Sequence, residues 1–113
     1  MTHEMRLTEK PFNNIKNGTK KIELRLFDEK RRKINLNDYI IFHKVDHEDE
    51  TIKVKVIGLI RYNSFEEMFN DIDITLTGTT NVLEDKINNL RKFYSEEEEK
   101  KYGVLGIRIE EIK

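Results

Sequence analysis

Alternation of apolar and polar residues over positions 21–27, unbroken as far as Leu26, is the feature that most constrains how this chain folds. A period of two places successive side chains on opposite faces of a β-strand. One face carries Ile22, Leu24 and Leu26, and the other carries Glu23, Arg25 and Phe27. Related patterns predict three more strands, over Tyr39–His43, Thr51–Arg61 and Val104–Ile112. The chain is therefore expected to build a small sheet.

Helix signals lie between and around these strands. Ser64 and Ser95 each precede a Glu by three residues, which is the pattern of a capping box. Thr8 can cap a first helix, and Gly18 suits its left-handed end. The predicted helices run from Thr8 to Asn17, from Ser64 to about Asn70, from about Val82 to Phe93 and from Ser95 to Gly103, with a loop over Asp71–Thr80.

The predicted element order is α, β, β, β, α, α, α, β. Four irregularly spaced strands are too few for a doubly wound fold, so we expect the α+β class, with a small mixed β-barrel and short helices packed around it. A break in alternation after Val56, followed by Gly58, predicts a bulge or a barrel corner. One shared core is predicted from Ile22, Leu24, Ile52, Val54, Leu105 and Ile107.

A chain of 113 residues fits a single domain, which we assign to residues 1–113. It contains no cysteine, so disulfides, zinc–thiolate sites and a thiol nucleophile are excluded. No signal-peptide pattern opens the sequence, and no apolar run approaches the roughly 20 residues that span a bilayer. We expect a cytoplasmic protein without membrane contact.

Charged residues make up 38% of the chain, but the net charge is only −1. Their distribution is uneven: positions 1–44 hold 11 Lys and Arg against 6 Asp and Glu, and positions 45–113 hold 10 against 16. A basic half beside an acidic half could present a basic face to phosphate. The alternative is that both sets are ordinary solvated surface.

The main candidate site is the segment 18–25, in which a glycine ends a helix and a charged strand begins. Glu23 and Arg25 share one strand face, and Lys20 lies where the strand starts. Arg25 can form a fork with phosphate or a base edge, Lys20 can supply a positive charge, and Glu23 can accept from an amino group. We therefore predict a ligand-binding cleft, against the alternative of an ordinary charged strand face.

Other residues could extend this site. Tyr94 or Tyr102 could stack on a base, although each also fits a core role. The basic run Lys30, Arg31, Arg32 and Lys33 is either a phosphate-contacting loop or solvated surface. The three histidines lack the clustering of a metal site, so we expect no metal and no cofactor.

These segments resemble the ASCH family. The similar motifs are Lys10-Pro11-Phe12 with Ile15-Lys16 and Gly18, then Gly18-x-Lys20-x-x-Glu23-x-Arg25, then Asp38 with Ile40 and Phe42, and finally Tyr102-Gly103-Val104-Leu105-Gly106-Ile107. The likeness runs nearly from end to end. It implies a PUA-like β-barrel of the short prokaryotic single-domain type, with a role in RNA binding and a cleft near the second motif.

The resemblance also implies possible activities. Some small relatives are amidohydrolases that act on N4-acetylcytidine through a Lys, a Thr three residues later and a distal Glu. The Lys position is Lys20 here, but Glu23 stands at the Thr position, and Glu66 and Glu67 are the candidates for the distal carboxylate. Ribonuclease activity has also been attached to relatives.

Three hypotheses follow. The first is a domain that binds RNA or a nucleotide with Lys20, Glu23 and Arg25 and an aromatic wall. The second is a small hydrolase of modified nucleosides or RNA, with Lys20 and Glu23 catalytic. The third is a regulatory protein-interaction domain. Lys20 is expected at an exposed rim, so that Lys20→Ala would abolish binding or turnover with little loss of stability. The ligand and the oligomeric state stay open.

Overall fold

The structure is a computed structural model that describes residues 1–78 and 83–112. Within these residues the chain forms five strands and four α-helices. In chain order they are β1 (Thr2–Leu7), α1 (Glu9–Lys16), β2 (Ile22–Leu26), β3 (Tyr39–Lys44), β4 (His47–Tyr62), α2 (Phe65–Asp71), α3 (Leu83–Leu90), α4 (Glu96–Tyr102) and β5 (Val104–Glu111). Short 3₁₀ turns cover Arg31–Lys33 and Ile74–Leu76.

All five strands belong to one mixed sheet with the order β1-β3-β4-β5-β2. β1 and β3 are parallel, and the other neighbours are antiparallel. The sheet curves into a half-barrel, which confirms the expected α+β class and small mixed barrel. Its two edge strands, β1 and β2, are not paired to each other, so the barrel has an opening between them.

β1 was not predicted from the sequence, because only Met5 and Leu7 alternate as buried apolar residues in that strand. The four strands that were predicted are all present, as β2, β3, β4 and β5. The predicted irregularity after Val56 is confirmed as a register shift between Val56 and Gly58 in the pairing of β4 with β5. This bulge lies on the longest strand, where the sheet bends.

The helix signals were largely correct. Ser95 and Glu98 form a complete capping box at α4. Ser64 accepts from the Glu67 amide, but the Glu67 carboxylate accepts from the Asn63 amide instead of completing the box. The predicted start of the third helix at Val82 and the predicted loop residues 79–80 lie outside the described residues.

Apolar residues form two clusters on opposite faces of the sheet, so the prediction of one shared core was wrong. The barrel core contains Ile52, Val54, Leu105 and Ile107 from the predicted set, with α1 packed against it. Ile22 and Leu24 belong instead to an outer cluster with Phe65, Met68 and Phe69 of α2. Both faces of β2 are covered, and alternation alone does not tell which face points to which cluster.

Candidate functional site

The pairing of β2 with β5 directs Glu23 and Arg25 toward the barrel. Glu23 is paired with Ile107, and Arg25 with Leu105. Residues directly opposite in neighbouring strands project to the same face. The two charged side chains therefore lie on the same side as the barrel core, at an edge strand that borders the opening.

Lys20 reaches this position because α1 ends abruptly. Gly18 adopts a φ of 86°, the left-handed conformation that favours glycine. The chain then turns, and Lys20 forms an isolated bridge with Thr77 before β2 begins. This turn brings the lysine side chain next to Glu23, three residues ahead.

The carboxylate of Glu23 is the centre of a buried ion-pair cluster. Its Oε1 lies 3.3 Å from Lys20 Nζ and accepts from the Leu24 amide at 3.0 Å. Its Oε2 accepts from Arg25 Nη2 at 2.9 Å and from Arg25 Nε at 3.1 Å. Lys20 and Glu23 are only 5% and 4% exposed. We call Lys20, Glu23 and Arg25 the charged triad.

Glu23 and Arg25 favour each other's charged form. Burial by itself raises the pKa of Glu23, but the charges of Lys20 and Arg25 and the hydrogen bonds outweigh burial and hold that pKa below its usual value. Burial likewise opposes the charge on Arg25, yet the Glu23 carboxylate raises the pKa of the guanidinium. Each group stabilises the charge of its partner.

The triad also ties distant segments together. Arg25 Nη2 donates to the carbonyl of Arg6 in β1 at 3.1 Å, across the barrel opening. Lys20 Nζ donates to the carbonyl of Thr77 at 3.2 Å. The expected exposure of Lys20 was therefore wrong, because the side chain is buried by Thr77, by Gly78 and by its ion pair. A Cβ on Gly78 would lie 2.9 Å from Lys20 Cβ, so this approach requires glycine.

A cleft of about 490 Å³ opens above the triad, between β1, β2 and α3. This volume falls in the usual range for small-ligand pockets. Five basic residues line the cleft: Arg6, Lys10, Lys20, Arg25 and Lys86. Among the described lining residues, Glu23 is the single acid. Arg6 is also paired with Glu48, which does not line the cleft, but the lining still carries more positive than negative charge although the chain as a whole is nearly neutral.

Lys86 was not identified from the sequence. It lies on α3, and its pKa is lowered to about 8, first by burial and then by the neighbouring cations Lys20 and Lys10. A signal was present: Lys86 is three residues after Leu83 and four before Leu90, on the stripe that otherwise contains apolar residues. A lysine on the buried stripe of an amphipathic helix indicates a special environment.

Aromatic side chains form one wall of the cleft. Tyr94 is half-buried, packs against Phe65 with ring centroids 5.7 Å apart, and lines the cleft beside the triad. Its pKa is raised chiefly by burial. The neighbouring Phe93 also lines the cleft and is 67% exposed. The wall thus combines a fixed ring with an accessible one.

The structure separates other predicted site residues from this cleft. Tyr102 and Arg32 line a different pocket, together with Phe27 and Arg61. Tyr102, the last residue of α4, is therefore not among the residues that line the triad cleft, although it packs against the same outer cluster as Tyr94. Tyr94 is the residue of the predicted pair that lies at the cleft.

The basic run does not form one surface either. Lys30 and Arg31 line a third pocket with Arg6 and Arg25, while Arg32 faces the pocket of Tyr102. Arg31 is paired with Asp28 at 3.1 Å, and Lys33 is exposed. A role of these four residues in phosphate contact stays a prediction.

Neither candidate for the distal carboxylate lies in the triad cleft. Glu66 is exposed on α2, and Glu67 lines the pocket of Tyr102.

His3 binds Asp38 and His43 binds Glu4, each at 2.8 Å. Across residues 1–78 and 83–112, no group of three or more potential ligands could hold a metal ion. None of the described helices has the length and apolar character needed to cross a membrane.

Comparisons with known proteins agree with this architecture. The family model of the ASCH domain matches residues 5–113. The crystal structure of hypothetical protein PH0355 is 46% identical, covers 99% of this chain and 100% of its own, and superposes with a TM-score of 0.90. The solution NMR structure of protein PF0455 from Pyrococcus furiosus is 39% identical, covers 100% of this chain and 99% of its own, and has a TM-score of 0.78. No curated protein matches significantly.

Proposed function

Since this chain belongs to the ASCH domain family, we propose that it binds RNA and holds one nucleotide of the strand in the triad cleft. One observation carries the proposal: five basic residues and two aromatic rings converge on a cleft of about 490 Å³ at the barrel opening. Positive charge attracts the phosphate of a nucleotide, and an aromatic wall can stack on its base.

The hydrogen bonds of the triad suggest which groups contact the nucleotide. Glu23 uses both carboxylate oxygens on Lys20, Arg25 and the Leu24 amide. It therefore positions the two cations and has little capacity left for a ligand. Arg25 makes its hydrogen bonds through Nε and Nη2, which leaves Nη1 available among the described residues. Arg25 Nη1, Lys20 Nζ and the Lys86 amine are the donors for an anion.

The aromatic wall supplies the base contact in this proposal. Phe93 presents an exposed ring at the rim, and Tyr94 holds a second ring against Phe65 deeper in the cleft. Base–aromatic stacking contributes about 1–3 kcal/mol per base and tolerates different bases. Phe93→Ala should therefore weaken binding by a factor that depends little on the base.

A matched pair of lysines tests the proposal. Lys86 lines the cleft, whereas Lys92 is exposed and lies outside the residues that line it. We expect Lys86→Gln to weaken binding of a labelled ten-nucleotide oligocytidine about fivefold at 0.1 M salt and to reduce the salt slope by about 0.7. Lys92→Gln should leave both values unchanged. Fluorescence anisotropy across a salt series gives both quantities, and equal behaviour of the two variants would contradict the proposal.

A second candidate function is hydrolysis of an acetylated nucleoside, and the lowered pKa of Lys86 favours it. An amine with a pKa of about 8 is partly neutral near physiological pH and can act as a base or nucleophile. In this reading Lys86, and not Glu23, would activate the reaction. Incubation with N4-acetylcytidine and chromatography for cytidine and acetate tests it directly. Absence of turnover between pH 7 and pH 9 would eliminate this candidate.

A further inference from the structure

A second basic pocket, of about 550 Å³, lies beyond the end of β2. We call it the Phe27 pocket. Four cationic residues line it: Arg32, Arg61, Lys100 and Lys101. All four are exposed, so their charges are accessible to a large partner. Three of them belong to the half of the sequence that is acidic overall.

Phe27 fixes the two guanidinium groups of this pocket. The Cζ of Arg61 lies 3.9 Å from the centroid of the Phe27 ring, and that of Arg32 lies 4.8 Å from it. Cation–π contact holds an otherwise mobile arginine in place, which lowers the entropy lost when a ligand binds. Two like charges on one ring repel each other, and an anion between them would relieve that repulsion.

The acids near this pocket are engaged elsewhere. Glu98 completes the capping box of α4, and Glu99 is buried against Arg91 and the Phe65 amide. Glu67, which lines the pocket, accepts from the Asn63 amide. Over residues 1–78 and 83–112, none of the four cations forms an ion pair with an acid. The pocket thus carries four positive charges against the one carboxylate of Glu67, and its cations are free of ion pairs within these residues.

The Phe27 pocket lies close to the triad cleft. Arg25 and Phe27 lie two residues apart on one chain segment, and both are on the side of that segment that faces the barrel core. Residues with this spacing in an extended segment are about 7 Å apart at the backbone. One RNA strand can therefore contact Arg25 with one of its nucleotides and the cations of the Phe27 pocket with a neighbouring phosphate. Resting on the proposed RNA binding, we infer that the Phe27 pocket is a second site, which holds backbone phosphates of the strand whose nucleotide occupies the triad cleft.

Exposed lysines test this inference without disturbing the fold. Lys100→Gln/Lys101→Gln removes two charges from the pocket, and Lys16→Gln/Lys53→Gln removes two exposed charges outside both sites. The probes are a labelled ten-nucleotide oligocytidine and cytidine 5′-monophosphate. We expect the first double variant to bind the oligonucleotide about 10- to 30-fold more weakly at 0.1 M salt, with a salt slope reduced by about 1.4. Its affinity for the mononucleotide should not change.

The outcomes distinguish this inference from the proposed function. If the oligonucleotide binds and responds to Lys86→Gln, but Lys100→Gln/Lys101→Gln behaves like its control, the second site is refuted and the cleft stands. If the pocket variant weakens the mononucleotide as strongly as the oligonucleotide, the pocket is not a separate backbone site and the inference is wrong. If the unaltered protein binds neither probe, both the proposed function and the second site are overturned.

Discussion

Replacing Glu23 by Gln is the sharpest test of how the triad is held together. The substitution keeps the size of the side chain but removes the negative charge shared by Lys20 and Arg25. Both cations would then face a neutral amide, and the amide N–H groups would point at other donors. Because Lys20 is buried, its charge would lose its partner without gaining full hydration.

The size of the effect follows from burial. Removing one partner of a buried ion pair costs about 3–5 kcal/mol of unfolding free energy. The side chain of Arg25 is 14% exposed and opens to the cleft, which places this case near the lower end, at about 3 kcal/mol. For 113 residues, an unfolding entropy of about 0.24 kcal/mol/K converts this loss into a decrease in Tm of about 12 °C.

Thermal unfolding followed by circular dichroism measures this loss, with Glu110→Gln on an exposed position of β5 as the control. The pKa of Glu23 in the folded state is below its ordinary value of 4.5, so its stabilisation is complete above that pH and is lost as the pH falls through the lowered pKa. The difference in Tm between the unaltered protein and Glu23→Gln should therefore narrow below pH 4.5. A change of less than 3 °C at pH 7, or a gap independent of pH, would refute the reasoning.

Three further predictions follow from the same geometry. Lys20→Ala should abolish nucleotide binding and also lower the unfolding free energy by about 2 kcal/mol in urea titrations, because the lysine is buried and bonded to Thr77 and Glu23. Lys86→Met should raise Tm at pH 7, and this gain should shrink toward pH 10. The pKa of Lys86 is about 8 in the folded protein and higher in the unfolded chain, so the unaltered protein becomes more stable as the folded state loses that proton above pH 8. Arg32→Ala should reduce the salt slope of RNA binding more than Arg31→Ala, because Arg31 is neutralised by Asp28; equal slopes would count against this assignment.

Alternation in the sequence was sufficient to predict four strands, because each has an apolar face that is buried. It could not assign the faces of β2, since Ile22 and Leu24 pack under α2 while Glu23 points to the barrel. A strand covered on both sides has no solvent face against which the pattern can be oriented. β1 was not predicted because four of its six residues are polar or charged and its edge position requires few buried side chains.

The candidate site was predicted in part, and a physical cause separates the residues that were predicted from those that were not. Lys20, Glu23 and Arg25 are neighbours in sequence, so local geometry alone brings them together. Lys86 and Tyr94 reach the same cleft only through the packing of the α3 region against β2, which no local pattern encodes. The separation of Tyr102 from Tyr94 likewise depends on how α4 packs, and spacing along the chain does not reveal it.

The strand order has a consequence for the time course of folding during synthesis. Among the described strands, β5 is the last in the chain, yet it lies between β4 and β2 and is the one strand partner of β2. Until residues 104–111 have been made, β2 has no ladder to join, and Glu23 and Arg25 have no fixed face. Such non-local pairing forms late. Nascent chains that stop before Val104 should therefore lack the triad cleft, so the proposed nucleotide site forms only when β5 inserts into the sheet.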